Sequence, residues 1–137
     1  MLYNSFVLKE TRNWIESSDY DFKTAEHMFS TDRYLYVVFM CHLAIEKLLK
    51  AIVHETTGSL PPKSHDLIYL LKLVDMRPPQ DLLEFMGKIN SASVVTRYPG
   101  DLSRTLAAYP ATVAEEYLSK TREVLQWLRQ DKRLLQS

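Results

Sequence analysis

The sequence predicts an all-α protein, an up-and-down four-helix bundle with one additional short helix, about five helices in all. Three observations predict it. Apolar residues recur three and four positions apart, and no stretch of Val, Ile or Thr alternates with polar residues as a half-buried strand would. The three glycines and six prolines fall nearly all between the periodic segments. Short connections between helices of this length make sequential neighbours antiparallel.

Each element follows from its own residues. The first helix is expected over Leu8 to Phe29, where Trp14, Ile15, Ser18, Phe22, Ala25 and Phe29 form one stripe. Thr31-Asp32 offers an N-cap for the second helix, from about Arg33 to Glu55. Its first half, Tyr34 through Cys41, is apolar on every face, as suits a central helix covered on several sides. Glu46, Lys47 and Lys50 mark where it meets polar surroundings. Gly58 to Pro62 breaks the chain, and a short third helix runs from about His65 to Val74 until Arg77-Pro78-Pro79 stops it.

The fourth helix, Gln80 to Ala92, carries a stripe of Leu82, Phe85, Met86 and Ile89. From Val94 to Tyr109 the pattern weakens to one helical turn around Ser103 to Ala108. The last helix opens near Pro110, a residue favoured at the first helical position, with Glu115 and Glu116 in its early turns. Ala114, Tyr117, Thr121, Val124, Leu125 and Leu128 face the core, and Trp127 sits off that stripe.

At 137 residues the chain is read as one domain, 1–137, long enough to fold without a disulfide or a structural metal. The single cysteine, Cys41, lies in an apolar run and reads as a small buried hydrophobe, compatible with a reducing cytoplasm. Lys plus Arg and Asp plus Glu balance at 17 each, which removes any general electrostatic drive towards duplex nucleic acid but leaves a local basic groove open. No basic segment followed by an apolar core begins the chain, and the nearly uncharged stretch Tyr34 to Ile45 is too short for a bilayer. A cytoplasmic protein without membrane contact is expected.

Four histidines occur, His27, His42, His54 and His65, and no pair stands three or four apart. With no HExxH-like or CxxC-like spacing, neither a metal nor another cofactor is expected. His42 reads as a hydrogen-bonded core residue, and His27 and His54 as exposed residues near helix ends.

His65-Asp66 stands where a Pro-containing loop meets a helix, so these side chains can cap the free N–H groups of the first turn. The functional alternative has His65 poised for proton transfer. Glu46 and Lys50 can pair at i, i+4 on a solvated face, or Lys47 and Lys50 can border a groove that attracts phosphate. In Thr96-Arg97-Tyr98-Pro99-Gly100-Asp101, Pro99 pushes Tyr98 out of helical geometry and Gly100 permits a turn, so Arg97 and Tyr98 are expected in a defined loop. There Arg97 offers a planar fork for phosphate, Tyr98 a ring on which a base stacks, and Arg104 a second cation. In the structural alternative Arg97 caps the fourth helix and Tyr98 packs on the bundle.

These pieces taken in order resemble the HEPN family of small helical bundles. The likeness rests on the aromatic-rich first helix, the A-I-E-K-L-L-K-A run at Ala44 to Ala51 and the K-S-H-D-L lead-in at Lys63 to Leu67. It continues through the R-Y-P-G-D segment at Arg97 to Asp101 and the Y-P-A-T-V-A-E-E start of the last helix. The resemblance implies a bundle that often dimerises and places a polar cleft at the dimer interface, in proteins that bind nucleotides or cut RNA. It also implies relatives encoded beside a minimal nucleotidyltransferase, as toxin and antitoxin or as two parts of one nucleotide-handling complex.

In ribonuclease members an Arg is followed four to six residues later by a His. Arg97 holds the comparable place here, but positions 101 to 103 are Asp, Leu and Ser, and no histidine follows His65. Three functions stay open on these residues. The first is a homodimeric nucleotide- or RNA-binding partner of a nucleotidyltransferase. The second is an atypical metal-independent endoribonuclease in which His65 or Asp101 replaces the missing base. The third is a non-catalytic dimerisation module. Arg97, Tyr98, Lys47, Lys50 and Arg104 are the candidate nucleotide or phosphate ligands, and His65, Asp66 and Asp101 the candidate polar cleft.

Overall fold

The computed structural model describes residues 7–135. Seven helices follow in order among them: α1 (Lys9–Ser30), α2 (Tyr34–Thr57), α3 (Leu67–Leu73), α4 (Gln80–Arg97), α5 (Leu102–Ala108), α6 (Ala111–Arg129) and α7 (Lys132–Leu135). No strand occurs among the described residues, and no helix there is long and apolar enough to cross a membrane.

The all-round apolar pattern of α2 places it at the centre, packed against α1, α3, α4, α6 and α7. Fifteen of its 24 residues are buried, so no single stripe describes it. Val37, Val38, Cys41, Ala44, Ile45, Leu48, Leu49 and Ile52 are wholly enclosed. Burial pushes the Cys41 thiol up to about 12. Around this axis α1 contributes Ile15 and Ala25, α4 contributes Met86 and Ile89, and α6 contributes Ala114, Val124 and Leu128. Gly58 ends α2 in the left-handed conformation, φ 69°, with its N–H donating to the His54 carbonyl at 2.7 Å, a conformation a glycine adopts without strain.

Several local expectations are corrected. Thr31-Asp32 does not cap α2: Asp32 itself turns left-handed, φ 63°, and its carboxylate accepts from the Tyr34 hydroxyl, leaving Arg33 at the cap without a side-chain bond. His54 is buried, not exposed, because the loop after Gly58 folds back and the Ser59 carbonyl accepts from its Nδ1–H at 2.7 Å. Helix α4 runs past Ala92 to Arg97, since nothing before the Pro99 constraint on Tyr98 interrupts it. Trp127, off the α6 stripe, is nevertheless half-buried against the core.

Helix α5 differs from the rest. None of its seven residues is buried, and Leu102 and Leu106 are open to solvent.

Candidate functional site

The polar residues that interrupt the apolar face of α2 line up. Phe39, His42, Glu46 and Lys50 stand three or four apart and share one face. Opposite them, α4 presents Asn90 and, seven residues on, Arg97, which puts the two about 10 Å apart along the same face. The start of α3 closes the other side with His65 and Asp66.

Asn90 joins the three elements, and its bonds fix the orientation of its own amide and the tautomer of His42. The Leu67 N–H, which can only donate, points at Asn90 Oδ1 at 3.1 Å, so the amide nitrogen faces Asp66 Oδ1 at 2.8 Å. The same Oδ1 lies 3.1 Å from His42 Nε2, which therefore carries the ring proton. His42 Nδ1 is left as a buried lone pair without a hydrogen-bond partner among the described residues, 3.9 Å from the Glu46 carboxylate. Burial depresses the pKa of His42, opposed by the Asn90 bond and the Glu46 charge and reinforced by Arg97 and His65.

Glu46 is buried yet has a partner on each oxygen. Lys50 Nζ donates to Oε2 at 2.9 Å, and His65 Nδ1 meets Oε1 at 3.0 Å. The i, i+4 pair thus forms as its spacing predicts, but inside the bundle and not on a solvated face; the Lys50 ammonium lies 6.0 Å from the Trp14 ring centroid. A carboxylate accepts only, so His65 Nδ1 donates, and Nε2 has no partner among the described residues. The His65 side chain is 60% exposed. Asp66 caps α3 as its position predicts, accepting from the Ile68 and Tyr69 N–H groups. His65, Asp66, Asn90, Ser91, Ser93 and Val94 line a cleft of about 380 Å³.

The remaining candidates separate. Lys47 points to α1, where it meets Asp21 at 2.8 Å and Ser17 at 2.8 Å, away from this cleft. Arg97 is the last residue of α4, not a loop residue, and its guanidinium carbon lies over the Phe39 ring, 4.6 Å from the centroid, with Nε buried and without a hydrogen-bond partner among the described residues. Tyr98 does not pack on the bundle; it is 75% exposed. Asp101 caps α5 through the Arg104 N–H, and Arg104 is exposed. Asn90 escaped the sequence reading. Its one signal was an amide next to the Leu82-Phe85-Met86-Ile89 stripe, and both of its oxygen's donors lie far away in sequence.

A family model, the HEPN domain, matches residues 11–132. No curated protein matches the chain. Among solved structures, TT1696 from Thermus thermophilus is similar with a TM-score of 0.75 and 22% identity, over 89% of this chain and 98% of that one. ST0689, an archaeal HEPN homologue, is similar with a TM-score of 0.71 and 22% identity, over 89% of this chain and 97% of that one. At such identities these two speak for the fold alone.

Proposed function

Because the chain belongs to the HEPN domain family, we propose that it is a cytoplasmic nucleotide- or RNA-binding protein that works as a homodimer. Its partner in this reading is a minimal nucleotidyltransferase, in a two-component system of the toxin–antitoxin kind. The observation that carries the binding role is the Arg97-Tyr98 pair. A guanidinium seated over Phe39 at the partly open end of α4 can turn its planar fork to a phosphate, and the exposed Tyr98 ring beside it offers a stacking face for a base.

Homodimerisation is supported by the surface next to this pair. Val94, Val95, Tyr98, Leu102 and Leu106 are five of the twelve large apolar residues exposed in the described chain, gathered in a 13-residue stretch. A seven-residue helix that buries nothing has little to hold it folded alone, so α5 calls for a cover. Within 91–108 the only charges are Arg97, Asp101 and Arg104, so two copies meeting here would bring few charges into an isologous interface. Val94 belongs to both this surface and the polar cleft, so in this reading the cleft would lie at the edge of the interface.

Titration of ATP, GTP and a short single-stranded RNA against wild type and Arg97→Ala tests the reading. The variant should bind about 1–3 kcal/mol more weakly, the worth of a charge-assisted contact. Its stability should fall by only about 0.5–1 kcal/mol, for the lost stacking on Phe39. Equal ligand affinity in both proteins removes Arg97 from the site. Failure of wild type to bind any of the three, alone or with a co-purified nucleotidyltransferase, leaves a dimerisation module.

A further inference from the structure

At the opposite end of α3 from His65 and Asp66, the backbone builds a second recess. The helix stops at Leu73 and Asp75 turns left-handed, φ 55°. The Met76 N–H thereby returns to the Leu71 carbonyl at 3.0 Å, and the Asp75 N–H to that of Lys72 at 3.2 Å. Such a helix stop brings the residue beyond the turn back over the last helical turn, and Met76 and Leu71 accordingly line one groove. Arg77-Pro78-Pro79 leads straight into α4, whose Leu83 supplies the other wall. The groove holds about 430 Å³ over a floor of Ile68, Leu71, Met76 and Leu83. That volume falls within the range of small-molecule sites, roughly 300–1,000 Å³. Leu83 precedes Arg97 by 14 positions on α4. At the usual helical rise the two lie about 21 Å apart, so the groove is distinct from the Arg97 site.

Three charges stand on its rim, and two of them are unanswered. Arg133 is held protonated first by its bond to Asp131 and further by the Asp75 charge, so Asp75 has a cation outside the groove to offset it. Lys72 and Arg77 are exposed, and neither side chain has a hydrogen bond or an ion pair among the described residues. A simple anion would satisfy these cations and leave the apolar floor wet, whereas a neutral apolar guest would cover the floor and leave the cations as they are. We propose that the groove binds a small amphipathic carboxylate, an unbranched apolar chain lying on Leu71, Met76 and Leu83 whose carboxylate meets Lys72 and Arg77. Arg77 supplies the planar fork that matches a carboxylate's two oxygens, and Lys72 a second charge. Met76 is unbranched and polarisable, which lets the floor adapt to the chain that enters.

The probe is octanoate, set beside octanol and octyltrimethylammonium, which keep its chain and remove or reverse its charge. Methyl NMR of the full-length protein reads Ile68, Leu71, Met76 and Leu83, with the exposed Val95 and Leu106 as controls for loose adsorption to apolar surface. Octanoate should shift the groove methyls together and saturably while the controls stay in place, and it should bind more tightly than either analogue. Lys72→Gln combined with Arg77→Gln changes two exposed side chains and should fold as wild type. It should weaken octanoate about tenfold or more, the worth of a charge-assisted hydrogen bond, and leave octanol unaffected. Equal affinity for octanoate in the double variant, an analogue that binds as tightly, or shifts spread over Val95 and Leu106 would each overturn the proposal. So would the absence of any shift. Nucleotide binding at Arg97 stands or falls separately, since its titration touches none of these side chains.

Discussion

Two residues near the centre of the bundle set how it answers to pH and to substitution. His42 is kept neutral by burial, its pKa below the ordinary 6.5, so below that value the unfolded chain binds the proton that the folded chain refuses. Its contribution is therefore fully present above about pH 6.5 and is lost as pH falls from there towards the depressed value. Chemical denaturation at several pH values should show wild type losing more stability on acidification than His42→Gln, whose amide can still donate to Asn90 but cannot titrate; parallel acid limbs would contradict this. Asn90→Ala should be costly at any pH. It strands the Leu67 N–H and the His42 Nε2–H, at about 1–3 kcal/mol for each buried donor left unpaired. The positions of His65 and Asp66 at a helix start were legible because capping is local. The junction they belong to was not, because Asn90 meets partners 48 and 23 residues away and no periodicity announces an amide's partners.

Among the elements, α2 and α5 lie at opposite extremes of burial. Val38→Asp puts an unpaired carboxylate where α2 is wholly enclosed, and should cost several kcal/mol, about the whole stability of a small domain. Near-native thermal melting of that variant would contradict the central placement. Leu102→Asp with Leu106→Asp should do the reverse. As α5 buries nothing within one copy, the pair should leave the melting of the bundle almost untouched while abolishing self-association in light scattering coupled to size exclusion. The order of the helices could be read because stripes and prolines carry it. What could not be read was how far α4 runs, since Ser91 to Arg97 has no stripe of its own and stays helical only until Pro99 acts through Tyr98.

For the molecule as a whole, apolar residues three and four apart and the Gly/Pro breaks between them made the fold class legible, whereas the placement of its charged residues was not. Glu46 and Lys50 look like surface residues in sequence because such pairs usually are; here Trp14, His42 and the α3 start enclose them. A native-state mass or light-scattering measurement at micromolar concentration should give twice the chain mass, and a monomer there would leave α5 without its cover.

The sulfur of Cys41 supplies a clock for the same molecule. It is fully enclosed in α2, with its thiol pushed up to about 12, so a disulfide reagent in neutral buffer finds neither access nor thiolate until the chain opens. As the chain has no other cysteine, the labelling rate reads one event at one address. If α2 separates from its neighbours only when everything does, that rate will climb with denaturant along the slope set by global unfolding; a shallower slope would reveal a smaller opening that frees one turn of the axis while the surrounding helices hold.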